Sequence, residues 1–286
     1  CIDSILNKTH RTKFEILLIV NEIRLEKAEI KAYLDDLTRD KFIQVIQYKN
    51  QPFNYSKIIN LGVTKARADN ICFLNDDIEV ISREWLDELI SWLLVDGVGA
   101  VGARLLYPDK SIQHAGVAIG VNGMADHLEK GKLREDAGDF ARILFPRELF
   151  AITGGCMVVR KDVFEQISGF DENLAEAFND VDFCIRLQQN GFKVVFNPFA
   201  ELIHHESVSV DKPYTKNRKE IFRKEMNVFL KKHNDSYEDP YYSSNYSNLR
   251  PYFRLAYPPR KLAPWKEIND LSWKRRKPLR LFQGQV

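Results

Sequence analysis

The 286-residue chain is 44% hydrophobic and 29% charged, with a net charge of +2. These are the proportions of a globular protein that buries a sizeable core. No run approaches the roughly 18 apolar residues of a membrane-spanning helix, and the start CIDSILNKTHRTKFEILLIV lacks a signal-peptide layout. The charge is unevenly placed: from Asp211 onward there are 18 Lys/Arg against 8 Asp/Glu, a net of +10, while residues 1–210 carry 24 against 32.

In chain order, FEILLIV (14–20) reads as a buried strand, LEKAEIKAYLDDL (25–37) as a helix and FIQVIQ (42–47) as a strand. YSKIINLGVTKA (55–66) has helical spacing, and ICFLN (71–75) is a short apolar strand. SREWLDELISWLL (82–94) predicts a helix with Ser82 as its N-cap, followed by the strand GAVGARLLY (99–107). SIQHAGVAIGVNGM (111–124) has hairpin character, and CMVVRKDVFEQI runs from strand into helix. AFNDVDFCIRLQQNGF (177–192) opens an amphipathic helix, and KVVFNPFAELIHH (193–205) reads as two short strands around Pro198. Apolar runs alternating with helices predict an α/β fold with a mostly parallel central sheet flanked by helices. Beyond it, YTKNRKEIFRKEMNVFLKKH (214–233) is a basic amphipathic helix with Ile221, Met226, Phe229 and Leu230 as its apolar face. A helical and extended tail rich in Tyr, Pro and Ser follows. Cys1, Cys72, Cys156 and Cys184 are isolated, with no CxxC spacing, which favours reduced core thiols in a cytosolic protein.

Four places carry candidate chemistry. Asp76 and Asp77 follow a buried strand in FLNDDIEV, where an open α/β sheet places its ligand crevice. Adjacent carboxylates there suit a hard divalent cation, and read equally well as turn acids capping the next helix. Gly154 and Gly155 in AITGGCMVV permit a close backbone approach to a ligand, or make a tight turn. Asp180 and Asp182 lie about 200° apart around a helix, so they cannot share one task. His204 and His205 end a strand as candidate imidazole ligands or as hydrogen-bonded structural residues.

Taken in order, the segments FNYSKIINLGVTKARADNICFLNDDIEVISREWLDEL, VGAVGARLLYPDKSIQHAGV, TGGCMVVRKDVFEQISGFDE, FNDVDFCIRLQQNGFKVVFNP and ELIHHES resemble the family 2 glycosyltransferases. They are most similar to the branch that builds bacterial surface polysaccharides such as O-antigen. The resemblance implies a GT-A catalytic domain over 1–210, beginning at the family's first helix and so lacking its first strand, and a basic extension over 211–286. It implies that Asn75, Asp76 and Asp77 occupy the DxD position, with Asn75 replacing the first acid. Asp77 is then the metal ligand for Mg²⁺ or Mn²⁺, with His204 beside it, and Asp76 lies near the ribose or the diphosphate. Asn179 and Asp180 match the acidic pair before the helix, with Asp180 as catalytic base. Gly154, Gly155 and Asn179 line the acceptor side. NEIRLEK, after LLIV, departs from the family's usual Asp-Asn-x-Ser lead.

The implied reaction is inverting transfer of a sugar from a nucleotide-sugar to a glycan or lipid-linked acceptor. The implied location is cytoplasmic, peripheral to the inner membrane face. The run SWKRRKPLRLF (272–282) sets Lys274, Arg275, Arg276, Lys277 and Arg280 between Trp273 and Phe282, a layout for anionic headgroups. Nucleic acid is not an expected partner. The alternatives are an inactive or truncated homologue that binds glycan or assembles with other proteins, and a nucleotidyltransferase. The latter calls for a Gly-rich phosphate loop after the first strand, which the sequence does not show.

Overall fold

The structure, a computed structural model, describes residues 1–9, 14–49, 52–205, 216–233 and 239–261. The basic run 272–282 lies outside the described residues. Helix α1 (Ile2–Lys8) precedes β1 (Ile16–Asn21) and β2 (Ile43–Tyr48), which pair in parallel as a separate two-stranded sheet. Between them lie a 3-10 turn at Glu22–Glu26 and α2 (Ala28–Leu37). Then follow α3 (Tyr55–Lys65), β3 (Asn70–Leu74), β4 (Ile78–Val80), α4 (Trp85–Leu93) and β5 (Val98–Leu106). An insertion carries β6 (Ile112–His114), the hairpin β7 (Val117–Ile119) and β8 (Ala125–His127), and β9 (Arg147–Leu149). The chain returns through β10 (Cys156–Arg160), α5 (Lys161–Gln166), α6 (Asn179–Gln189), β11 (Lys193–His204) and α7 (Lys216–His233).

The main sheet has the order β3-β10-β5-β11-β4, with β6 on β5 and β9 on β11. The α/β architecture is as the alternation predicts, but the expected mostly parallel pairing needs correction. Only β1–β2 and β5–β11 pair in parallel among the described strands. β10 runs against both β3 and β5, and β4 runs against β11. The cause is the insertion between β5 and β10: it returns the chain through short strands and turns, without a long helical crossover, and such a return brings the next strand back antiparallel. Apolar composition reports that a strand is buried on both faces and is silent on its direction.

Two local expectations also change. The segment around Pro198 is one strand, β11, whose register with β5 shifts between Asn197 and Glu201. Proline donates no ladder hydrogen bond and is accommodated at such an irregularity. Ser82 does not cap α4: its hydroxyl oxygen accepts from the Glu201 N–H at 3.1 Å, and α4 begins three residues later without a side-chain cap.

Strand alternation divides the core in two. Met157, Val159, Val194 and Phe196 face Val163, Phe164, Phe183 and Leu187 of α5 and α6. Cys156, Val158, Val101 and Val195 face Trp85, Leu86, Leu89 and Leu93 of α4. Burying a side chain such as Leu89 or Phe183 contributes about 2 kcal/mol. Gly102 of β5 lets Ile152 lie against the sheet, since a Cβ there would sit 2.8 Å from the Cβ of Ile152. This seats the segment leading to Gly154. On α7 the buried stripe is Glu225, Phe229 and His233, while Ile221, Met226 and Leu230 are only partly covered. The stripe is polar at both ends because it meets the backbone and carboxylate of the α6 region rather than an apolar sheet.

Candidate functional site

Three chain segments converge at one end of the main sheet. The first is the turn from Asn75 to Ile78, which carries the chain from β3 into β4 and is closed by the Ile78 N–H donating to the Asn75 carbonyl. The Asn75 N–H donates to the Gly155 carbonyl at 3.1 Å, tying the exit of β3 to the entry of β10. The pairing of β4 with β11 puts His204 opposite Ile78, and the His205 N–H donates to the Asp77 carbonyl at 3.0 Å. Strand register therefore brings residues 77 and 204 together, although 127 positions separate them.

Asp77 Oδ1 lies 3.0 Å from His204 Nε2, and the Asn75 side-chain amide approaches the same nitrogen at 3.3 Å. The other ring nitrogen, Nδ1, is 2.9 Å from Gln113 Oε1, an acceptor only, so Nδ1 carries a proton. In neutral imidazole the Nε2 lone pair then faces a carboxylate oxygen. That oxygen is buried and accepts no other hydrogen bond. Such an encounter requires either a second proton on Nε2 or a cation shared by both groups. The hydrogen bond with His204 is the first cause that draws the Asp77 carboxyl below its ordinary range, against the opposing effect of burial. A hard cation fits the same two donors. Among the described residues no group of three or more His, Cys, Asp or Glu converges on a metal position. A cation here would therefore draw its other ligands from substrate phosphate and water.

Asp76 is exposed beside this pair. A cleft of about 490 Å³ opens over Asp3, Asp76, Asp77 and Glu79, with Cys1, Ser4, Ile78 and His205 on its walls. Glu79 is neutralised by Lys8 at 2.9 Å and faces His205 at 3.1 Å, whereas Asp3 and Asp76 form no ion pair among the described residues and add negative charge. The volume suits a small-molecule ligand, and the charge admits a polyphosphate only together with a cation.

The second segment is Thr153–Gly155 and the third is the start of α6. The Gly154 N–H donates to Asp180 Oδ2 at 2.9 Å, and the buried Tyr55 hydroxyl donates to the Gly154 carbonyl at 3.2 Å. Burial, with Asp180 adding to it, pushes the Tyr55 phenol well up, so it stays protonated as a donor. Asp180 Oδ1 accepts from the Val181 N–H at 2.8 Å, so this carboxylate also satisfies one free N–H of the helix's first turn. It is half-buried, and Asn179 beside it is buried with its side-chain oxygen on the Asp180 N–H. Gly154 thus sits against Asp180, while Gly155 sits between Leu105 and His204, on the Asp77 side. Asp182 points the other way and is fully buried. It is paired with Arg186 at 2.8 Å, Lys232 at 2.8 Å and His233 at 2.7 Å. Burial alone would raise its carboxyl, but these donors overcome that and hold it at about 2.

Gln113, His114 and Tyr55 went unrecognised in the sequence. His114 is fully buried, with its Nδ1 3.0 Å from His127 Nδ1, and burial with the nearby His127, His204 and Arg147 keeps it well below its usual range. The signal for Gln113 and His114 was the unbroken run SIQHAG, which leads from a turn onto the strand beside β5.

A family model described as Glycosyltransferase like family 2 matches residues 1–227. The chain belongs to glycosyltransferase-like family 2. Within reach of this family 2 chain are the uncharacterized protein y4gI of Sinorhizobium fredii, 35% identical, and the O-antigen biosynthesis protein RfbC of Myxococcus xanthus, 36% identical. The matches cover 90% and 73% of this chain, but only 28% and 16% of those relatives. The chain thus spans about a quarter and a sixth of their lengths. The mannosyltransferase PcManGT of Pyrobaculum calidifontis, solved with GDP-Man and Mn²⁺, superposes with a TM-score of 0.55. The match is 10% identical and covers 84% of this chain and 60% of that one. The family 2 chain therefore has the GT-A fold.

Proposed function

We propose that the chain is the catalytic unit of an inverting, divalent-metal-dependent glycosyltransferase that moves a sugar from a nucleotide-sugar donor onto a glycan or lipid-linked glycan in surface-polysaccharide synthesis. The observation that carries the reading is the pairing of two unlike corners across Gly154–Gly155. One is an electron-rich Asp77–His204 pair with an unfilled buried oxygen. The other is a half-buried Asp180 anchored by backbone amides. The O-antigen assignment of the Myxococcus relative supports the pathway class, and the Mn²⁺ and GDP-Man of the Pyrobaculum structure support the cation and donor class.

Asp77 and His204 would hold the Mg²⁺ or Mn²⁺, which would supply the positive charge that stabilises the departing nucleoside diphosphate. Asp76 faces the donor from the exposed side of the turn. The acceptor hydroxyl meets Asp180, which takes its proton as the new bond to the anomeric carbon forms and the bond to the diphosphate oxygen breaks on the opposite face. A carboxylate already fixed by two backbone N–H groups holds its direction while its remaining lone pairs stay available to the proton. Gly154, Gly155 and Asn179 form the wall on which the acceptor rests. With a lipid-linked acceptor the unit would work at the cytoplasmic membrane face.

The test is a panel of sugar nucleotides offered with and without Mn²⁺ or Mg²⁺, with release of nucleoside diphosphate as the readout. Cation-dependent release from at least one donor is expected. Failure of every donor, with and without polyprenyl-linked acceptors, contradicts the reading.

A further inference from the structure

Helix α7 meets the α6 region along one stripe. Glu225, Phe229 and His233, spaced at i, i+4 and i+8, are the three buried residues of its C-terminal half. Residues at this spacing share one face of a helix. Each touches a different part of the chain around Asp180.

Glu225 acts on the approach to the helix. Its Oε1 accepts from the N–H groups of Ala175 at 3.0 Å and Glu176 at 3.2 Å. Its Oε2 accepts from Glu176 at 3.1 Å and Ala177 at 2.6 Å. Three consecutive amides thus converge on one buried carboxylate that is 5% exposed. Charge-assisted bonds of this kind are about twice as strong as neutral ones. The same segment is tied from behind by the Tyr55 N–H donating to the Ala175 carbonyl at 2.8 Å. One residue further on, Phe178 adopts a left-handed conformation with φ of 61°, and its ring packs on Phe222 and Phe229 of α7. Beyond Asp180, Lys232 and His233 hold Asp182. Asp180 is therefore bracketed: α7 grips residues 175–178 before it and residue 182 after it, while the Gly154 N–H donates to its Oδ2 from another segment.

We propose that Glu225 is a positioning residue for Asp180, and that α7 sets the place of the base by ligating the backbone that leads into it. The proposal rests on the reading of Asp180 as the base. A left-handed phenylalanine is a costly conformation that persists only when its surroundings over-determine it, and α7 supplies those surroundings. Displacing a reacting group by about 1 Å can cost about 100-fold in rate, so loosening this grip acts on turnover without touching the Asp77–His204 corner where the donor binds.

The test compares the wild-type chain with Glu225→Gln, which keeps the shape but turns one acceptor into an NH₂ donor facing backbone N–H groups. Glu220→Gln, exposed on the same helix, is the control. Two quantities are read: amide hydrogen exchange peptide by peptide, and kinetics of donor hydrolysis with Mn²⁺ for a sugar nucleotide the wild type turns over. The expected result is faster exchange confined to residues 172–186, with kcat lowered about 10- to 100-fold and donor KM within about twofold of wild type. Unchanged exchange overturns the proposal, and so does faster exchange with unchanged kcat. Exchange rising throughout the chain means that Glu225→Gln misfolds. Phe222→Ala, which removes only a half-exposed ring from Phe178, is then judged by the same two readouts. If the wild type hydrolyses no donor, the catalytic reading fails by itself, and the exchange arm alone decides whether α7 holds the loop.

Discussion

Asp77 and Asp182 are both aspartates held below their ordinary range, and they are held in opposite ways. Asp182 is closed off from water and meets two permanent cations, Arg186 and Lys232, along with His233. Asp77 keeps a quarter of its side chain exposed, meets one imidazole and leaves Oδ1 without a full complement of donors. The difference separates architecture from chemistry. A carboxylate whose partners are complete is a fastener between elements, here α6 and α7. One whose partners are incomplete, at a strand end over an acidic cleft, is a place where something else binds.

The largest effect should come from breaking the fastener. Asp182→Asn removes the common anion of Arg186 and Lys232 at a fully buried position, with Asp171 at 2.6 Å the remaining partner of Lys232. Removing one partner of a buried ion network typically costs 3–5 kcal/mol, so urea unfolding should show a loss of about that size. A change under about 1 kcal/mol would show that Asp182 is not the hub its contacts describe.

Breaking the open corner should do the reverse. Asp77→Ala should change stability by less than about 1 kcal/mol, because its pair with His204 is partly solvated. It should weaken Mn²⁺-dependent binding of a nucleoside diphosphate by about 100-fold, following the loss of a charged ligand. Titration calorimetry with and without Mn²⁺ reads this directly. Equal affinities in wild type and variant would remove Asp77 from the site.

Acid sharpens the same contrast. A carboxyl lowered from 3.8 to about 2 on folding stabilises the folded state fully above the unfolded value and loses that contribution as pH falls through the folded one. Asp182 should thus contribute about 2 kcal/mol that disappears between roughly pH 4 and pH 2. Asp182→Asn should flatten the acid limb of the stability profile in that window, and an unaltered limb would assign the acid transition to other carboxyls.

How much of this was legible in the sequence follows from how local each signal is. Asp77 and Asp180 each stand at the junction of an apolar run and a turn, so the place of Asp77 on the cleft wall and of Asp180 at a helix start could be read from a few neighbours. His204 was legible as a strand end, but its partner Gln113 belongs to a strand laid against β5 by the insertion, and nothing short-range announces that contact. Strand direction was not legible, because composition records burial and not polarity. The angle between successive helical residues showed that Asp180 and Asp182 cannot share one task, but of the partners of Asp182 only Arg186 lies close in sequence, while Lys232 and His233 lie some 50 residues downstream. Glu225 and His233 were hidden because polar residues on a basic helix are ordinarily assigned to solvent. The clue was their spacing of four on either side of Phe229.

The most direct test of the account is turnover by Asp180→Asn beside Asp182→Asn, measured as donor-derived sugar transferred or hydrolysed per enzyme, with melting followed on the same samples. Asp180→Asn keeps one oxygen for either the Gly154 or the Val181 amide, sets an NH₂ group against the other, and cannot accept the acceptor's proton. It should melt within a few degrees of wild type and lose about 100-fold or more in kcat with donor binding retained. Asp182→Asn should lose activity only in step with its folded fraction. A folded, active Asp180→Asn chain, or a folded Asp182→Asn chain without turnover, would contradict the assignment of the base.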